Sequence, residues 1–172
     1  VLCALNYFLK KKKERLELLI ALTERRMEGE IEMSFQEFDS SEIERCKEKY
    51  AEEAKERWGH TQAWQESKKR TDGYSNGEWE AVMKESDSIM QAFAQSRELA
   101  PESEEVQALV AKWQDFISAR YYTCTDEILE GLGQMYTADE RFTENIDRFG
   151  EGTAEQMSKA IAFYVSRRKN NG

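Results

Sequence analysis

The sequence predicts an all-α protein, and three observations carry that reading. No segment alternates apolar and polar residues with period two over a useful length, while apolar residues recur three and four apart along most of the chain. Breakers are scarce, with one proline and 9 glycines in 172 residues. Helix-opening signals recur instead. Ser41-x-x-Glu44, Ser75-x-x-Glu78, Thr137-x-x-Glu140 and Thr153-x-x-Gln156 each set a hydroxyl three residues before a side chain that can return the hydrogen bond.

Taken in order, Leu2, Leu5, Leu9, Leu16 and Leu19 form a heptad-like seam, interrupted by Lys12, Thr23 and Arg26. A helix of about 30 residues that cannot bury itself on a globular core reads as a coiled-coil arm over residues 1–33. A long amphipathic helix packed on its own domain is the plainer alternative. Residues 33–39, with Phe35 and Phe38, break the pattern as a linker. The helix opened by Ser41 puts Ile43, Cys46, Tyr50, Ala54 and Trp58 on one broad face, and Gly59 ends it. Thr61 caps a short helix holding Ala63 and Trp64, and residues 71–75 form a turn. From Ser75 a helix to about residue 98 buries Trp79, Val82, Met83, Ile89, Met90 and Phe93. Pro101 breaks the chain, and Ser103 or Pro101 starts a helix with Val106, Leu109, Val110, Trp113, Phe116 and Ile117 on one side. Tyr121, Tyr122 and Cys124 then precede a helix carrying Ile128, Leu129, Leu132, Met135 and Tyr136, with Gly131 and Gly133 in its middle. Each such glycine costs roughly 1 kcal/mol relative to alanine, which calls for a packing or ligand-access reason. The expected reason is an adaptable apolar cleft. Thr137 opens a short helix, and Thr153 the last one, with Met157, Ala160, Ile161, Tyr164 and Val165 facing inward.

Composition excludes several classes. No apolar run approaches the roughly 18 residues of a membrane helix. The apolar start, residues 1–9, is followed rather than preceded by its basic cluster, Lys10–Lys13, the reverse of a signal peptide. Beginning at a valine in mid-pattern, the chain is expected to be a piece of a longer protein. A formal net charge of −9 repels phosphate backbones and argues against nucleic-acid binding by this segment alone. Cys3, Cys46 and Cys124 are odd in number, far apart and without a CxxC, as expected of reduced thiols in a cytoplasmic protein.

No catalytic set emerges. His60 is the one histidine, so a Ser-His-Asp or Cys-His arrangement, a His/Cys zinc site or a haem would all depend on it, and no signature surrounds it. The acidic pairs Glu52-Glu53, Glu104-Glu105 and Asp139-Glu140 sit at cap or surface positions and read as solvated. No metal, cofactor or enzymatic activity is expected. Cys124 lies just before a helix whose N-terminus would lower its pKa, but a buried, inert thiol is the plainer reading. Trp79 and Trp113 sit centrally on amphipathic faces and suit a core. Trp58 and Trp64 flank the Gly59 break, where tryptophans often line a groove for a flat apolar ligand, and Tyr121, Tyr122 and Tyr136 have polar tips to orient it.

The run from Tyr50 to Ser67 (YAEEAKERWGHTQAWQES), the Tyr-x-Cys of Tyr122 to Cys124, and Leu132-Gly-x-Met-Tyr-x-x-Asp-x-Arg-Phe142 together resemble the TipA-S domain, the antibiotic-recognition domain of MerR-family transcription activators. The likeness covers about residues 35 to 168 in order, and residues 1–33 are similar to the long helix that joins the DNA reader of such activators to this domain and dimerises it. The resemblance implies a compact, globin-like helical domain without haem over 34–172. Within it residues 34–70 would form a mobile lid and 75–168 a helical core. It implies a cleft for bulky hydrophobic antibiotics, thiopeptides among them, with binding coupled to transcription activation. Candidate ligand-binding residues are Tyr50, Trp58, Trp64, Trp113, Phe116, Tyr121, Tyr122, Cys124, Leu132, Met135, Tyr136 and Phe142. Partners would be a hydrophobic small-molecule or peptide antibiotic, a second copy through residues 1–33, and DNA only through a reader domain absent from this chain. In the family's thiopeptide-binding prototype the drug-capturing cysteine lies seven residues after the Tyr-x-Cys cysteine. Gly131 stands there, which implies reversible binding. A stand-alone drug-sequestering protein is the alternative.

Overall fold

A computed structural model describes residues 52–170, together with residues 13, 16 and 17. The expected arm, the Ser41 box, Tyr50, Cys3, Cys46 and residues 34–51 of the expected lid lie outside the described residues, except that Lys13, Leu16 and Glu17 are helical and exposed. The chain divides into two compact units, Val1–Gly59 and His60–Gly172.

In the first unit residues 52–58 are helical. Arg57 pairs with Glu53 at 2.9 Å, one turn apart, and its guanidinium lies 6.0 Å from the Trp58 ring. Gly59 closes the helix, its N–H donating to Lys55 O at 2.8 Å. A Cβ at Gly59 would stand 2.3 Å from that oxygen, so the stop requires a glycine.

The second unit contains α1 (Gln62–Thr71), α2 (Asn76–Gln95), α3 (Glu104–Arg120), α4 (Asp126–Ala138), α5 (Glu140–Asp147) and α6 (Thr153–Asn170). The described residues contain no strand. Three starts follow the sequence signals, and a fourth, at Thr125, carried no reading from the sequence. The Thr61 hydroxyl accepts from Trp64 N, and Ser75 and Glu78 form the reciprocal capping box. Ser103 rather than Pro101 caps α3, and Thr125 caps α4.

Two expected boxes do not form. Thr137 does not open α5, because the Asp139 carboxylate accepts from Arg141 N and makes Asp139 both the end of α4 and the start of α5. At α6, Thr153 lies inside the helix and its hydroxyl donates to Gly150 O, while the Asp147 carboxylate accepts from Gly152 N at 3.1 Å and Ala154 N at 2.8 Å. Gln156 turns inward instead, donating to Ser96 O and Leu99 O. A charged acceptor makes the stronger bond to a helix N-terminus and displaces the neutral hydroxyl.

Helix α6 is the centre of the core. Met157, Ala160, Ile161 and Val165 are fully buried and meet Val82, Ile89 and Phe93 of α2, Val106 and Val110 of α3, and Leu129 of α4 in one apolar interior. α4 packs most extensively on α6; α5 lies against both, α2 and α3 also reach α6, and α1 packs on α3. Gly133 permits the α4–α6 contact, since a Cβ there would come 3.0 Å from Ile161 Cγ2. Gly131 faces open space. The expectation that both glycines open a cleft is therefore corrected: Gly133 serves close packing, and Gly131 is a surface position.

Candidate aromatic site at the end of α3

The sequence puts aromatics where three segments converge: the last turns of α3, the loop 121–125, and the turn between α1 and α2. The rings form a continuous row. Trp113 and Phe116 stack at 5.3 Å with 18° between planes. Phe116 meets Tyr121 edge-on at 6.0 Å, Tyr121 meets Trp79 at 6.5 Å, and Trp79 meets Tyr74 edge-on at 5.3 Å. Such pairs add about 0.5–1.5 kcal/mol each beyond area burial. Trp113 Nε1–H donates to the Tyr136 hydroxyl at 3.0 Å, which ties the row to α4. Trp113, Phe116, Tyr121 and Tyr136 are all buried; Tyr74 and Trp79 are half-buried.

The structure thus brings four of the candidate residues together. Tyr122 follows directly, half-buried, with burial pushing its phenol pKa up. Leu132 and Met135 are half-buried on α4, on the same side of the helix as Tyr136. Trp64 on α1 and Phe142 on α5 are half-buried and outside the ring row. Trp58 belongs to the first unit. Sequence reasoning assigned Trp79 to the core and passed over Tyr74. The available signal was the Ser75 box, which sets Trp79 in the first turn of α2 beside the turn that carries Tyr74.

Polar contacts clamp α1 and its turn over this region. The Glu66 carboxylate accepts from Thr123 N at 3.0 Å and Thr123 Oγ1 at 3.2 Å, and receives Arg70 at 2.6 Å. Arg70 also donates to Ser118 O, and the Tyr74 hydroxyl donates to Arg120 O at 2.8 Å. The Thr123 backbone N–H, with Arg70 and the Thr123 hydroxyl, holds the Glu66 carboxyl below the usual carboxylate range. Gln114 pins the other side of the loop, donating to Cys124 O and Asp126 Oδ1, both at 2.9 Å.

Cys124 is buried at 5% exposure, with its N–H on Ser118 Oγ. Burial, and then the Asp126 charge, push its thiol up to about 12. Helix α4 therefore does not activate it, because burial disfavours the thiolate and the Asp126 charge in the first turn adds to that. One polar atom of the site stands apart: the Tyr121 hydroxyl is buried and makes no hydrogen bond. His60 is exposed, and the described residues contain no group of three His, Cys, Asp or Glu side chains able to hold a metal ion. No helix among them is long and apolar enough to cross a membrane.

A helical unit with an aromatic row under a clamped helix defines a ligand-recognition domain, and sequence comparison gives the family. The profile of the TipAS antibiotic-recognition domain matches residues 50–164, more than half of the chain, so the protein belongs to that family. The chain is 35% identical over 169 residues to the HTH-type transcriptional activator mta of Bacillus subtilis, covering 94% of this chain and 65% of that protein. It is 35% identical over 114 residues to the HTH-type transcriptional activator TipA of Streptomyces coelicolor, covering 65% and 45% respectively. The chain therefore spans less than two thirds of the length of either activator. Among solved structures it is similar to Streptomyces lividans TipAS in complex with nosiheptide, from a thiopeptide antibiotic multidrug resistance system. That match has a TM-score of 0.66 at 33% identity and covers 70% of this chain and 86% of that one.

Proposed function

We propose that this chain is the ligand-sensing part of a MerR-type transcription activator and that it reversibly binds bulky, flat, apolar antibiotics of the thiopeptide kind. The observation that carries the reading is the ring row that runs through Tyr121, set within the residues matched by the antibiotic-recognition profile. Trp113, Phe116, Tyr121, Tyr122, Leu132, Met135 and Tyr136 supply the apolar wall, with Trp64 and Phe142 beside it. Cys124 contributes bulk rather than a nucleophile. Residues 34–70 act as the lid, 75–168 as the core, and 1–33 as the arm that pairs with a second copy. Leu16, 54% exposed, suits such pairing. DNA is contacted through a reader domain outside this chain, in the cytoplasm.

The physical coupling is a population shift. The drug binds the lid-closed state better than the open one, and ordering the lid consumes part of its binding energy. The closed state then alters how the paired readers sit on a promoter. An activator reading is favoured over drug sequestration because the likeness to the B. subtilis activator covers 94% of the chain and so extends into the arm. The test is a ¹⁵N spectrum with and without a thiopeptide panel. Signals of residues 34–70 that sharpen on binding, with shifts in α3 and the 121–125 loop, support the proposal. An unchanged spectrum across the panel refutes it.

A further inference from the structure

Tyr121 is 3% exposed and its hydroxyl has no hydrogen-bond partner, the one such side-chain atom among the described residues. Buried phenols ordinarily find a partner, and an orphan calls for an explanation. Its neighbours do not provide one. The Tyr74 hydroxyl is committed to Arg120 O, and the Arg120 guanidinium to Glu85. The Trp79 and Phe116 rings flank the Tyr121 ring and make apolar contact with it. Phenylalanine would preserve every one of these ring contacts without stranding a hydroxyl, so the contacts alone do not account for a tyrosine. Tyr136 shows the contrast, since its hydroxyl accepts from Trp113.

We propose that the Tyr121 hydroxyl is the polar determinant of ligand choice, donating a hydrogen bond to an acceptor on the edge of the bound molecule. The acceptor is an amide carbonyl or a ring nitrogen of a flat heteroaromatic. This rests on the drug-binding reading above and gives that site a chemical requirement. Burial pushes the phenol pKa up, with the Tyr74 and Tyr122 neighbours adding to it, so the group stays a neutral donor. A ligand with the right outline but no acceptor leaves the donor stranded, and sites built around a buried polar group discriminate strongly against such analogues. The clamp of Glu66, Arg70 and Tyr74 spans the same loop, so its release gives access to the hydroxyl.

The test is Tyr121→Phe in the full chain, with nosiheptide as probe, affinity from tryptophan quenching and melting temperature of the free protein. The expected result has opposite signs: a melting point raised by a few degrees without ligand, and nosiheptide affinity weakened about tenfold, the scale of one buried hydrogen bond. Phe116→Leu serves as the companion variant. It removes a ring and no hydroxyl, and weakens binding through the apolar wall. Unchanged affinity in Tyr121→Phe beside weakened affinity in Phe116→Leu overturns the hydroxyl assignment and leaves the site standing. A melting point lowered by Tyr121→Phe means that the hydroxyl is satisfied in the free protein, and also overturns it. Failure of nosiheptide to bind the wild-type chain removes the underlying reading and this inference with it.

Discussion

Two glycines on α4, two residues apart, are expected to respond in opposite directions to the same substitution. Alanine in place of a helix-interior glycine gains roughly 1 kcal/mol of helix propensity. Gly131 faces open space, so Gly131→Ala keeps that gain. At roughly 2–4 °C per kcal/mol for a chain of this size the melting point rises by a few degrees. At Gly133 the new methyl stands 3.0 Å from Ile161 Cγ2 and 3.2 Å from Ile161 Cβ. Ile161 is fully buried among α2, α3 and α4, and its β-branch is anchored to the α6 backbone, so it cannot swing aside. Overpacking a well-filled interior costs typically about 1–3 kcal/mol, which outweighs the propensity gain. Gly133→Ala is therefore destabilising by about 0–2 kcal/mol. Urea unfolding of both variants measures the difference, about 1–3 kcal/mol between them. The reasoning is refuted if Gly133→Ala is as stable as Gly131→Ala, for then α4 does not lie as close to α6 as the coordinates place it.

Three further outcomes follow from the site and its supports. Asp147→Ala removes the acceptor of Ala154 N in the first turn of α6 and of Gly152 N just before it, and is expected to cost about 1–2 kcal/mol, whereas Thr137→Ala leaves the start of α5 unchanged; equal effects in thermal melts would contradict the assignment of the caps. Glu66 has a lowered pKa when folded, so its contribution to the clamp is present above the ordinary carboxylate range and is lost as pH falls through the lowered value. Protection factors of the α1 amides, taken relative to intrinsic exchange at each pH, should fall in acid, and Glu66→Gln should reproduce that fall at neutral pH; protection that is unaltered by the substitution would show the clamp to be idle. Cys124, pushed up to about 12, stays a thiol at neutral pH. Its stabilising effect is complete below the ordinary thiol range near ~8.5 and declines as pH rises above it. The folded chain should show no Cys124 adduct by mass spectrometry after thiol reagent or thiopeptide at neutral pH, and a one-drug mass gain lost in Cys124→Ser would reverse that conclusion.

Signals contained within one turn of chain were legible. Thr61, Ser75 and Ser103 cap their helices because hydroxyl and target N–H are neighbours in sequence. Thr137 and Thr153 fit the same pattern and failed, because a charged aspartate caps the first N–H groups of each helix from a different position, Asp139 at Arg141 N and Asp147 at Ala154 N. The apolar faces of α2, α3 and α6 were readable from spacing, whereas Trp113, Phe116, Tyr121 and Tyr136 were grouped only by the family resemblance. What spacing could not supply was pairing across helices. Tyr136 looked like a free polar tip until Trp113, 23 residues away, was found donating to it. Gly133 looked like a gap until Ile161 was found against it. Tyr74 and Trp79 join the row only because the α1–α2 turn folds onto the end of α3.

The position of α6 in the chain has a consequence for biogenesis. Every other core helix closes on the inner face of Met157, Ala160, Ile161 and Val165, yet that face is the last of the described segments to leave the ribosome. During translation the upstream helices lack the α6 face and keep part of their apolar surface uncovered, a condition that invites chaperone holding and aggregation. A truncation even two turns before Asn170 would take away Val165 and the Arg168–Asp126 and Lys169–Glu130 bonds, so this unit becomes secure only once the whole of α6 has been made.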